Sequence, residues 1–252
     1  MSYVIWAIAV AIMAYSGWNV YRQRNRSGVP GMDSIETVQV ADMLQRVGLS
    51  ELELSEEPDI PHPFGYKCQW YAVRTDRLTE LVDHFGLTGC RAANWASGLD
   101  GAYGGYYFVS PPVAGWTLVV NAFMPDFAEA GDRHPVQMTR ELSARFGEAC
   151  YFGTHRVVEY HAWVKAVNGQ VVRAYGYVGE QGETIADIGE PTSEERELGL
   201  AFTSLDEEDA HWPSEDDVLE MAAAWTIDPQ MGDQSDLGPG VGIIGDRRGN
   251  DN

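Results

Sequence analysis

Between residues 70 and 178 one local pattern occurs twice: an apolar run, an amphipathic stretch, a Phe-Gly stop and then a cysteine. The first copy places a strand at residues 70–74 and a helix at 76–85, with Leu78, Leu81, Val82 and Phe85 on one face, Gly86 as the stop and Cys90 beyond it. The second places a strand at 116–121 and a helix at 135–146, with Met138, Leu142 and Phe146 on one face, then Gly147 and Cys150. Each copy runs on into extended aromatic stretches, 91–95 and 103–109 in the first, 151–167 and 171–178 in the second. Asn168-Gly169, between the last two, is a two-residue hairpin signal, because both residues tolerate positive φ. The spacing after Phe-Gly differs by one residue, and residues 122–134 are an insertion in the second copy. The pattern predicts an α+β fold: tandem β-α-β-β units forming a largely antiparallel sheet with packed helices.

Ahead of this body lies a run of 19 uncharged residues, Tyr3 to Tyr21, followed by Arg22, Arg24 and Arg26. At ~1.5 Å per residue it reaches about 28 Å, near the thickness of a bilayer's hydrocarbon core. Trp6, Trp18 and Tyr21 sit toward its ends, where amphipathic rings favour the interface, and the arginines assign the C-terminal side to the cytoplasm. A cleaved signal would need basic residues before the run and a small-x-small site after it, and neither is clear. The expectation is one N-terminal transmembrane helix, a single pass of a bacterial inner membrane, with the C-terminal domain in the cytoplasm. The predicted divisions are an anchor with its basic flank at 1–24, a linker with an amphipathic helix at 25–63, a globular domain at 64–229 and a flexible Gly- and Asp-rich tail at 230–252. The helix in the linker spans 33–47, and 51–63 reads as a loop.

Charge separates the final third from the rest. Residues 180–236 hold 18 acidic side chains and one basic one, Arg196, within a chain of net charge −21. Such a balance excludes nucleic acid as partner, since phosphate binding needs a basic stripe. Part of the stretch is a helix: Ser214 with Asp217 reads as a cap before Val218, Met221, Ala222 and Trp225. Its carboxylates serve either as a solvated face or as an electrostatic lure for a basic protein. The candidate partner-binding residues are Glu207, Glu208, Asp209, His211, Trp212, Glu215, Asp216 and Asp217, with Trp212 as an interface anchor.

Signatures of chemistry are sparse. The glycines at 98–105 precede no Lys-Ser/Thr and read as a loop rather than a phosphate cradle. No C-x-x-C pair or Asp-x-Asp-x-Asp-Gly loop is present, so no cofactor or metal is expected. The three cysteines, Cys68, Cys90 and Cys150, lie in apolar surroundings and read as core. His155, Glu159 and His161 fall at even spacing and would share one face of a strand, with Arg156 beside them. They form the alternative site, a hydrolase-like centre between the two units.

The Phe85-Gly86 and Phe146-Gly147 units with their cysteines, the stretch Tyr151-Phe152-Gly153-Thr154-His155-Arg156, and the closing Ala224-Trp225-Thr226-Ile227-Asp228-Pro229 resemble bacterial proteins of the toxin-immunity type. The resemblance implies a small acidic α+β domain that caps a toxin and performs no catalysis, and it assigns no residue a role. The expected function is thus a membrane-anchored, non-enzymatic binding module that neutralises a basic partner by occlusion. The alternatives are the enzyme above and a structural component of an envelope complex.

Overall fold

Runs such as Gln69–Val73 and Thr117–Asn121 are buried at every position, as strands are when both sheet faces are covered. A computed structural model describes residues 49–127, 133–179, 183–200, 212–232 and 237–247. The chain divides into two compact units, Met1–Leu52 and Glu53–Asn252. Of the first, the described part is the short 3-10 turn Leu49–Glu51 and Leu52. The apolar run 3–21 and the helix expected at 33–47 lie outside the described residues. Among the described residues no helix is long and apolar enough to cross a membrane.

The second unit is α+β. Its strands are β1 (Gln69–Val73), β2 (Thr88–Asn94), β3 (Tyr107–Val109), β4 (Thr117–Asn121), β5 (Glu148–His155), β6 (Tyr160–Val167), β7 (Gln170–Val178), β8 (Glu183–Ile188) and β9 (Val241–Asp246). They form one sheet in the order β2-β9-β3-β4-β1-β5-β6-β7-β8, every neighbouring pair antiparallel. Helices α1 (Leu78–Phe85), α2 (Trp95–Tyr103), α3 (Pro135–Phe146), α4 (Ser193–Glu197) and α5 (Glu215–Trp225) complete the described elements.

Side-chain alternation along the strands splits the core into two layers. On one face Tyr71, Val73, Val119, Tyr151 and Val164 meet Leu81 and Phe85 of α1 and Met138, Leu142 and Phe146 of α3. On the other, Trp70 stacks on Phe152 at 5.3 Å, Phe152 meets Trp225 of α5 at 6.0 Å, and Trp95 of α2 packs edge-on against Phe108 at 5.8 Å. Each such ring withdrawn from water contributes about 1.5–3 kcal/mol. The β6–β7 turn is Asn168-Gly169, at φ 50° and 79°, as the dipeptide predicts. Ser214 and Asp217 form the reciprocal cap of α5, also as predicted.

Four expectations are corrected. Residues 98–105 are largely helix: α2 starts at Trp95 because Asn94 caps the Ser97 amide at 3.1 Å and Asp59 accepts the Trp95 amide at 2.6 Å. The cap across sequence distance organises a glycine-bearing stretch that local propensity reads as a loop. The extended run 151–167 is a hairpin, β5 and β6, turned at residues 156–159. The supposed tail supplies β9, which lies between β2 and β3 with Ile244 fully buried. Cys90 is exposed, whereas Cys68 and Cys150 are buried, and all three are free thiols.

Both strand–helix–strand units are present, yet their settings differ. In the second, β4 and β5 are separated by β1 alone. In the first, β1 and β2 are separated by β4, β3 and β9.

Candidate functional site

Register places Thr154 of β5 opposite His161 of β6, and His161 opposite Tyr177 of β7, so the three form one row across the sheet. Over this row comes the chain leading into α5, from Trp212 through Asp216. Between them is a cleft of about 1060 Å³, lined by Tyr66, Arg156, Glu159, His161, Tyr177, Gly179 and the segment 212–216. Four segments far apart in sequence thus meet at one surface.

The two groups of candidate residues partly converge here. From the acidic group come Trp212, Glu215 and Asp216; from the histidine group come Arg156, Glu159 and His161. The expected single strand face for His155, Glu159 and His161 is corrected. Residues 156–159 turn back, with Glu159 at φ 49°, so Arg156 and Glu159 reach the cleft from the turn and His161 from β6, rather than all from one extended run. His155 is not among the lining residues; it is buried at the end of β5, where burial lowers its pKa. Asp217 is committed to the helix: it accepts the Ser214 amide at 2.7 Å. Glu207, Glu208, Asp209 and His211 lie outside the described residues.

At the floor, Glu215 is 8% exposed. Its Oε1 accepts the Lys67 backbone amide at 2.9 Å and the Thr154 hydroxyl at 3.3 Å. Its Oε2 has Arg156 Nε at 3.8 Å, beyond hydrogen-bond distance. Thr154 Oγ1 is also 3.0 Å from His161 Nδ1. A hydroxyl has one proton; given to the carboxylate, it leaves the oxygen to accept from the ring. The imidazole is then protonated on Nδ1, and its Nε2 carries a lone pair. Burial holds the His161 pKa down to about 4, with nearby His155 adding to the shift and Asp217 opposing it. Around neutral pH the ring is therefore a neutral acceptor.

The walls are aromatic. Tyr177 and His161 rings lie nearly parallel at 10° with centroids 6.4 Å apart, and Trp212 leans on Tyr177 at 6.0 Å and 57°. Trp212 remains 49% exposed and Tyr66 42%. The Tyr66 hydroxyl donates to Asp216 at 2.9 Å, and that bond to a carboxylate raises its pKa. The lining holds three carboxylates, Glu159, Glu215 and Asp216, against one cation, Arg156.

Tyr66, Thr154 and Tyr177 were not candidates from sequence. Thr154 sits in a strand where it reads as ordinary β-branched packing, and only its register against His161 marks it. Among the described residues no group of three His, Cys, Asp or Glu side chains is placed to hold a metal ion. Comparison with protein-family models, with curated proteins and with solved structures finds no match for this chain.

Proposed function

We propose that this protein is a non-enzymatic binding module, anchored to a membrane by residues 3–21, whose cleft accepts a basic protein partner. The observation that carries the reading is the cleft itself, in which half-exposed Trp212 stands beside three carboxylates and a neutral histidine. An exposed tryptophan at the mouth of an acidic cleft is an anchor waiting for apolar contact, while the carboxylates speed encounter with a cation and turn away anions. In the toxin-immunity form of this reading, occupation of the cleft occludes the partner's own basic site.

A hydrolase-like reading comes second, favoured by the link from Glu215 through Thr154 to His161. It is the weaker of the two because a ring that releases its proton near pH 4 is a poor proton carrier at neutral pH. The single hydroxyl of Ser214 is meanwhile taken up in capping α5.

The test is binding of a deca-arginine peptide to the full-length protein by stopped-flow at low and high salt. Salt slows association much more than it changes dissociation, and Trp212→Ala weakens affinity by about tenfold or more, as a modest hot spot would. Absence of binding at low salt, or association indifferent to salt, defeats the reading.

A further inference from the structure

The acceptors at the floor of the cleft are the feature that a general acidic surface does not explain. Glu215 and His161 are both more than nine-tenths buried, at 8% and 3% exposure. Each uses one atom internally: Glu215 Oε1 takes the Lys67 amide and the Thr154 hydroxyl, and His161 Nδ1 is held by the same hydroxyl. Each has one acceptor left, Oε2 and Nε2, on side chains that line the cleft. Neither atom is among the fully buried unpartnered ones, so both stay open to a donor that enters the cleft. The proton order set by Thr154 leaves His161 Nε2 as the ring's acceptor.

A cation already attends the site in an incomplete way. Arg156 is 65% exposed and reaches Glu215 Oε2 only to 3.8 Å. It occupies the electrostatic role of a guanidinium at the floor without making its hydrogen bonds.

We infer that the cleft is built to receive the guanidinium of an arginine side chain on the basic partner, with Arg156 as a resident stand-in that the incoming arginine displaces. This rests on the binding reading above and names the group that is read. Arginine suits the site better than lysine for three reasons. Its planar fork presents several donors at fixed angles, enough for a carboxylate oxygen and a ring nitrogen together. Its flat, weakly hydrated face stacks on Trp212, which is half exposed at the same cleft. An ammonium is more strongly hydrated and would lose more on reaching acceptors this deep. Anions are disfavoured by Glu159, Glu215 and Asp216.

The experiment is calorimetric titration of the full-length protein with Nα-acetyl-arginine methylamide, the matching lysine and citrulline compounds, and free arginine, repeated with Arg156→Gln. The expected result is saturable binding of the blocked arginine, about tenfold weaker binding of lysine, none of citrulline, and tighter binding to the Arg156→Gln variant because the competitor is gone. Thr154→Val, which removes the hydroxyl that orders both acceptors, weakens the arginine compound by about tenfold. The inference is overturned if Arg156→Gln weakens binding, since Arg156 would then be a ligand contact, or if lysine binds as well as arginine. Free arginine binding far more tightly than the blocked compound would also overturn it, by making the ligand a metabolite rather than a side chain. Deca-arginine binding that ignores both variants sinks this inference and leaves the binding reading standing. Failure of deca-arginine itself removes both.

Discussion

Replacing Glu195 with alanine should be among the most damaging single changes in the sheet, although Glu195 lies on a helix of only five residues. Its carboxylate is fully buried and accepts Arg173 Nε at 2.8 Å and 3.1 Å, Trp163 Nε1 at 2.9 Å and the Thr192 amide at 2.7 Å. Arg173, also fully buried, keeps Asp187 and the carbonyls of Ile188 and Gly189 on Nη1. Truncation leaves two buried donors without an acceptor, at about 1–3 kcal/mol each, and removes half of a capping box, at about 1 kcal/mol. These losses overlap, so ~4 kcal/mol is the working figure, in line with breaking a buried ion pair from one side. Against a total stability of about 5–15 kcal/mol this is a large fraction. Urea unfolding of the full-length protein, followed by far-ultraviolet circular dichroism, reads it as a fall in midpoint at constant slope. The companion variant, Arg173→Leu with Glu195→Met, should recover the share of the loss that comes from the stranded Arg173 side chain, but not the shares of the Trp163 indole and the Thr192 cap. Arg173 Nη2 is already buried without a partner among the described residues, and Asp187 is half exposed and can turn to water. A loss below about 1 kcal/mol in Glu195→Ala, or a double variant no better than the single, would refute the account of the network.

Two further predictions concern the cleft and α2. The unfolded chain binds a proton at histidine near pH 6.5, whereas folded His161 does so only near pH 4, so stability is lost as pH falls through that window, by up to about 3 kcal/mol. His161→Asn should flatten that part of a stability-against-pH curve measured by urea midpoints; an unchanged slope would mean that His161 is not the group responsible. Gly98→Ala, which ordinarily favours a helix by up to ~1 kcal/mol, should here destabilise by about 1–3 kcal/mol, because its Cβ would stand 2.2 Å from Phe108 Cε2. Thermal melting gives the sign, and a raised midpoint would show that the Phe108 ring yields freely.

Much of the secondary structure was legible because its causes are local. The Ser214–Asp217 cap, the Asn168-Gly169 turn and the apolar faces of residues 78–85 and 135–146 each act within a few residues, and the structure bears them out. The errors occurred where a distant partner overrides local preference. Residues 98–105 became helical through Asn94 and Asp59, a contact bridging 36 residues, and 241–246 became a sheet strand by filling the gap between β2 and β3. Nothing in a Gly-rich segment states that such a gap exists.

The chemistry divides in the same way. Sequence alone determined the acidic balance, the apolar N-terminal run and the residue types able to bind a cation, since these are sums and short patterns along one chain. Only the tertiary structure decided which of those residues act together, leaving Asp217 to a helix cap and His155 outside the lining while bringing Tyr66 and Tyr177 in and tying Thr154 to His161 and Glu215. The physical reason is register. Cross-strand neighbours such as Thr154, His161 and Tyr177 are fixed by how three strands align, and that alignment minimises free energy over the whole sheet rather than at any one residue.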